Sequence, residues 1–117
     1  MSVALMFKSS TTSELEPAIW EVPVSTEKLF YQYWYPVIEK EGYPWLHIIS
    51  PGIDLDAENL PEVLDELRQL QAAFPRYYTP DDEKYEYITT SIARLIAALE
   101  AINPNDLSSG ELELFLG

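Results

Sequence analysis

Two long stretches in the second half of the chain repeat apolar residues at spacings of three and four, which is the period of an α-helix. The first covers residues 60–74 and stops before Pro75, and the second covers residues 85–102 and stops before Pro104. Proline ends a helix because it lacks a backbone N–H and clashes with the preceding turn. Each stretch is apolar on one side alone, so both predicted helices must bury that side against another layer of structure.

Shorter segments show the two-residue alternation of β-strands. Residues 3–8 are apolar on both sides, which predicts a strand in the middle of a sheet. Residues 18–24 alternate and include Pro23, which is typical of a strand at a margin. Residues 45–50 form a further apolar run, and leucines alternate with glutamates over residues 111–116. Each of these four segments predicts a strand.

A further helix is predicted between the second and third strands. Its apolar residues lie on one helical face: Phe30, Tyr33, Trp34, Val37 and Ile38. Ser25 or Thr26 can cap its start, and Gly42 suits its end. Pro36 lies inside the pattern and predicts a kink near it or a break at Tyr35.

These elements alternate irregularly along the chain, which favours an α+β fold over a parallel β-α-β sheet. We expect a small, mainly antiparallel sheet covered by about three helices. A length of 117 residues predicts a single domain over 1–117. No segment approaches the roughly 20 apolar residues of a membrane span, and the N-terminal apolar run is too short for a signal peptide, so a cytoplasmic protein is predicted.

The charge is strongly acidic. Twenty Asp and Glu against seven Lys and Arg give a formal net charge of −13. Such a surface repels phosphate backbones and anionic lipids, which excludes nucleic acids and membranes as expected partners. It attracts basic proteins, although the same charge also serves solubility alone. Both interpretations stay open at this point.

Catalytic and metal-binding patterns are weak. The chain has no cysteine and one histidine, His47, with no Gly-x-Ser-x-Gly segment, so His47 is interpreted as structural. Asp54, Asp56 and Glu58 alternate as in an EF-hand calcium loop. Such a loop beginning at Asp54 would need Gly at its sixth position and Glu at its twelfth, but this chain has Asn59 and Asp65 there. We therefore predict no enzyme, no cofactor and no metal, and keep an enzyme using carboxylates or His47 as a third-ranked alternative.

Several short segments carry a resemblance to a known group of proteins. They are Trp20-Glu21-Val22-Pro23-Val24-Ser25-Thr26-Glu27, Tyr33-Trp34-Tyr35-Pro36, Gly42-Tyr43-Pro44-Trp45, Gly52-Ile53-Asp54-Leu55 and Leu60-Pro61-Glu62-Val63-Leu64-Asp65-Glu66-Leu67. Over residues 20–70 the chain resembles small acidic, largely uncharacterised bacterial proteins that are similar to immunity proteins of polymorphic toxin systems. The resemblance implies a non-enzymatic inhibitor that occupies the basic cleft of a toxin, for example a nuclease.

On this hypothesis the partner-binding residues are the acids at two predicted helix starts and the tyrosines of one loop: Asp54, Asp56, Glu58, Asp81, Asp82, Glu83, Tyr77 and Tyr78. They would form one continuous negative surface if the two helix starts lie side by side. The alternative function is an oligomeric scaffold or regulatory binding module without a toxin partner. In that case the final strand would pair across an exposed sheet edge and produce a homodimer.

Overall fold

The structure is a computed structural model, which describes residues 2–9, 18–49, 52–109 and 112–117. Its described strands form one antiparallel sheet: β1 (Ser2–Ser9), β2 (Ala18–Thr26), β3 (Ile53–Leu55) and β4 (Leu112–Leu116). Their spatial order is β2-β1-β4-β3. The predicted α+β class is confirmed, and β1 lies in the middle of the sheet as expected.

Helices follow β2 and fill the second half of the chain. Their bounds are α1 (Glu27–Leu29), a π turn (Phe30–Trp34), α2 (Tyr35–Glu41), a 3-10 turn (Leu46–Ile48), α3 (Leu60–Ala73), a 3-10 turn (Phe74–Arg76), α4 (Tyr85–Glu100) and α5 (Pro104–Ser108). The two long amphipathic helices predicted from apolar spacing are confirmed as α3 and α4. Within the described ranges, no helix combines the length and the apolar character needed to cross a membrane.

The core lies between the helices and one face of the sheet. Leu5, Leu114 and Leu116 are buried on that face, where α4 packs against β2. Trp34 and Phe74 are fully buried in the same cluster. Burial of each such side chain stabilises the fold by roughly 1.5–3 kcal/mol, which explains why the amphipathic faces point to this side of the sheet.

The π turn explains how the chain accommodates Pro36 inside a helical path. Pro36 cannot donate a hydrogen bond to the carbonyl of Gln32, four residues earlier. The helix widens just before it, and the N–H of Tyr35 donates to the carbonyl of Phe30. The Gln32 carbonyl instead accepts a hydrogen bond from the Tyr78 hydroxyl at 3.3 Å. The irregularity predicted near Pro36 therefore takes the form of a π turn.

The prediction of a strand over residues 45–50 is wrong, because Leu46–Ile48 form a 3-10 turn. The backbone N–H groups of Trp45 and Leu46 donate to the carboxylate of Glu66 and not to a neighbouring strand. A short apolar run fits a buried turn as well as a strand, so periodicity could not separate the two. The strand of this region is β3.

The exposed edge predicted for the final strand is also wrong. β4 pairs with β1 on one side, from Leu112 to Leu116, and with β3 on the other, from Leu114 to Leu116. The last strand of the chain thus inserts between two earlier ones and buries Leu114 and Leu116. A homodimer formed by edge pairing at β4 has no basis in this topology.

Candidate protein-docking site

The two predicted acidic helix starts lie at opposite ends of a helix pair. Phe74, after the end of α3, contacts Tyr85 at the start of α4, with ring centroids 5.7 Å apart. At the end of α4, Glu100 pairs at 2.9 Å with Arg68 from the middle of α3, and Leu99 lines the same pocket as Leu60 at the start of α3. The helices are therefore antiparallel, as is usual for neighbours joined by a short connection. A helix the length of α3 spans about 20 Å, so the acids at 54–58 and 81–83 do not form one continuous negative surface.

Asp56 has a structural role in the loop before α3. Its Oδ1 accepts hydrogen bonds from the N–H groups of Glu58 and Asn59, both at 2.8 Å. The Asn59 side chain accepts from Asp56 N–H and donates to the Asp54 carbonyl, both at 2.8 Å. The side chains of Asp54 and Glu58 are exposed beside this turn.

The second predicted group packs against α2 and the π turn. Tyr77 donates to Glu41 Oε1 at 3.0 Å, and Tyr78 contacts the ring of Tyr33. Asp82 accepts a hydrogen bond from the Tyr33 hydroxyl at 2.9 Å. Asp81, Asp82 and Glu83 lie in the turn that precedes α4, which begins at Tyr85, so they are not its first turn. Asp81 and Glu83 are exposed.

A groove that the sequence did not predict lies between the 41–45 segment and α3. Its volume is about 380 Å³. We call it the acidic groove, and its lining residues are Glu41, Gly42, Tyr43, Pro44, Trp45, Glu62, Asp65, Glu66 and Gln69. The helix α3 supplies its members at positions three and four apart, on one polar face. That spacing is visible in the sequence. The opposite wall of the groove, the 41–45 segment, lies next to α3 only because of tertiary packing.

Glu66 forms the buried part of the groove, with 8% of the residue exposed. Its Oε1 accepts from Trp45 N–H at 2.9 Å and from Leu46 N–H at 3.1 Å. Burial raises the pKa of Glu66 above its usual range, the two backbone hydrogen bonds oppose that rise, and the nearby carboxylates of Asp65 and Glu62 add to it. A partly desolvated negative charge therefore faces the groove.

The other carboxylates of the groove have mostly neutral partners. Glu62 accepts from the Trp45 indole N–H at 3.1 Å, and Asp65 accepts from the Gln69 amide at 2.7 Å. Glu41 alone pairs with a base, Arg76, at 2.8 Å. Among the residues that the structure describes, Glu62, Asp65 and Glu66 form no ion pair. The groove thus combines three carboxylates lacking a cation with the indole ring of Trp45.

His47 lies outside the groove on the neighbouring surface. Its side chain is exposed, and its Nε2 lies 3.1 Å from the Tyr35 hydroxyl. No group of three or more His, Asp or Glu side chains comes together as a metal site in the described ranges. In the structure, His47 is within hydrogen-bonding distance of the Tyr35 hydroxyl.

Four tyrosines make the free energy of unfolding depend on pH in the alkaline range. The pKa values of Tyr33, Tyr43, Tyr77 and Tyr78 lie above the ordinary 10.0, through the Asp82 hydrogen bond for Tyr33 and through burial first for the others. The folded state thus favours neutral phenols, so this stabilisation is full below pH 10.0 and is lost as the pH rises through the folded pKa values. We expect part of the tyrosinate absorbance to rise only above pH 10.0, because these four rings ionise late or together with unfolding. A single phase at the ordinary tyrosine pKa, with the fold intact, would contradict this prediction.

Comparison with protein-family models, curated proteins and solved structures finds no significant match for this chain. The resemblance to immunity proteins therefore stays a prediction.

Proposed function

We propose that this protein is a non-enzymatic binding domain whose acidic groove receives a basic segment of a partner protein. The observation that carries the proposal is the set of three groove carboxylates, Glu62, Asp65 and Glu66, which have no cation partner in the described part of the chain. A lysine or arginine side chain would supply the missing positive charge. Hydrogen bonds between ionised groups are about twice as strong as neutral ones.

The aromatic wall supports a basic occupant over other ligands. The Trp45 indole N–H donates to Glu62, which orients the ring at the groove. A cation placed over such a ring gains about 0.5–2 kcal/mol in addition to its ion pairs. The net charge of −13 would also accelerate encounter with a basic protein.

The sequence resemblance extends this proposal to a specific class of partner. In that extension the domain is a cytoplasmic immunity protein, and the basic segment belongs to the cleft of a toxin. The acidic groove would then cover the cleft residues that otherwise bind substrate phosphates. Activity of the captured partner, measured with and without this protein, separates an inhibitor from a scaffold.

Charge reversal in the groove tests the proposal. We expect Glu62→Lys/Asp65→Lys to weaken binding to the isolated basic partner at least about tenfold, which is ~1.4 kcal/mol, because it replaces attraction with repulsion at the point of contact. Both side chains are exposed, so the fold should persist, which circular dichroism checks. The affinity is measured by calorimetry at several salt concentrations.

A matched variant separates local contact from long-range charge. Asp81→Lys/Glu83→Lys makes the same change in net charge in the turn before α4, where the sequence predicted contacts. Loss of affinity in the groove pair alone supports the acidic groove. Equal loss in both pairs would assign binding to the overall field, and loss in the second pair alone would move the interface to that turn.

A further inference from the structure

Among the described residues, the helices pack on the face of the sheet that carries Leu5, Leu114 and Leu116, and the opposite face carries exposed side chains. Met6 follows the fully buried Leu5 in β1, so its side chain points away from the core, and the residue is 40% exposed. Phe115 of β4 is in register with Met6 and is partly exposed. Two apolar side chains therefore lie next to each other at the centre of the open face.

Acidic residues end this cross-strand row on both sides. Glu21 of β2 is in register with Met6, and Asp54 of β3 is in register with Phe115. Both acids are exposed. We call Glu21, Met6, Phe115 and Asp54 the outer-face row. With strands about 4.8 Å apart, the row is roughly 14 Å long.

The Phe115 ring packs closely against the backbone beneath it. Gly52 has a φ of +116°, and a Cβ added there would overlap the Phe115 ring. A Cβ added at Gly117 would also meet that ring, at 3.1 Å. Phe115 thus lies directly against the backbone, whereas Met6 beside it has a flexible side chain that can adapt to the shape of a partner.

We propose that the outer-face row is a second docking surface, which binds a protein segment carrying an apolar side chain between two basic ones. An apolar centre with a charged rim is the usual anatomy of a protein interface. Both ends of the row are acidic, so a basic rim on the partner is complementary.

A second copy of this chain does not fit the same surface. Face-to-face pairing of two rows would bring the acidic ends of both copies together, and each copy carries a net charge of −13. The partner is therefore a different, basic protein. The outer-face row lies on the sheet, whereas the acidic groove lies between α3 and the 41–45 segment. Binding at one of these sites can therefore occur without binding at the other.

The test uses the full chain and two synthetic peptides of strand length. One alternates lysine with leucine, and the other alternates lysine with serine. NMR follows the Met6 methyl group, identified by its loss in Met6→Leu, and the Trp45 indole N–H. We expect the lysine–leucine peptide to shift the Met6 methyl and to bind at least about fivefold more tightly than the lysine–serine peptide.

Variants complete the test. Met6→Lys places a positive charge at the apolar centre and should weaken binding of the lysine–leucine peptide at least about tenfold, whereas Tyr87→Lys, at an exposed aromatic position on α4, should not. Peptide shifts at Trp45 without any at Met6 would overturn this proposal and leave the groove proposal standing. A Met6 shift that depends on protein concentration alone would replace the basic partner with a second copy.

Discussion

Replacement of Glu66 with alanine is expected to lower the free energy of unfolding by about 2–4 kcal/mol. The Glu66 carboxylate is the acceptor for the backbone N–H groups of Trp45 and Leu46, and Leu46 is fully buried. A buried donor that loses its partner costs about 1–3 kcal/mol, and here two donors lose the same one. Chemical denaturation at neutral pH measures the effect.

Glu66→Gln is the matched control, because its amide oxygen can still accept both hydrogen bonds but carries no charge. We expect this variant to retain most of the stability that alanine loses. Because burial raises the pKa of Glu66, the folded state prefers the protonated acid. The contribution of Glu66 to the free energy of unfolding is therefore full below its ordinary pKa of 4.5. It falls as the pH rises through the pKa that Glu66 has in the folded state.

The stability difference between wild type and Glu66→Gln should accordingly shift in favour of glutamine from acid to neutral pH. A difference that does not change with pH would contradict the desolvation of Glu66. Equal stability of the alanine and glutamine variants would show that the two backbone hydrogen bonds contribute little.

Gly52→Ala is expected to be the other strongly destabilising substitution, by about 2–4 kcal/mol. Its φ of +116° is a backbone conformation that residues with a Cβ rarely adopt, and such strain costs about 1–3 kcal/mol. The new Cβ would also overlap the Phe115 ring, which must move while β4 stays paired on both sides. Thermal and chemical denaturation both report this loss.

Gly42→Ala separates the two causes. Gly42 ends α2 with a φ of +76°, and a Cβ added there meets nothing within 4 Å. It therefore carries the backbone cost without the overlap, and we expect a loss of about 1–2 kcal/mol. A loss at Gly42 equal to that at Gly52 would mean that contact with Phe115 adds nothing.

The acidic groove shows why the predicted site differs from the observed one. The acids predicted to bind a partner lie close together along the chain, at 54–58 and 81–83. The groove instead combines acids on one face of α3 with the 41–45 segment. Helical spacing of Glu62, Asp65 and Glu66 was available from the sequence, but these positions also fit a solvated helix surface. Only contact with Trp45 distinguishes a groove from such a surface.

The position of β4 in the sheet also depends on tertiary packing and not on local sequence pattern. Alternating leucines at 112–116 were sufficient to predict a strand with one buried face, because the period of a strand is local. Its place between β1 and β3 depends on contacts with β1, more than one hundred positions earlier, and with β3, about sixty positions earlier. Local pattern carries no information about which edge such a strand will join.

The amino-acid sequence by itself determined the α+β class, the two long helices, the strands at both ends and the acidic character of the surface, since each follows from local periodicity or from composition. Tertiary structure alone decided that the α3 and α4 starts lie at opposite ends, that residues 46–48 turn around Glu66, and that β4 is an inner strand. These features depend on which buried polar groups and apolar faces meet across the chain. Such pairings are set by satisfying hydrogen bonds and burial for the whole domain at once.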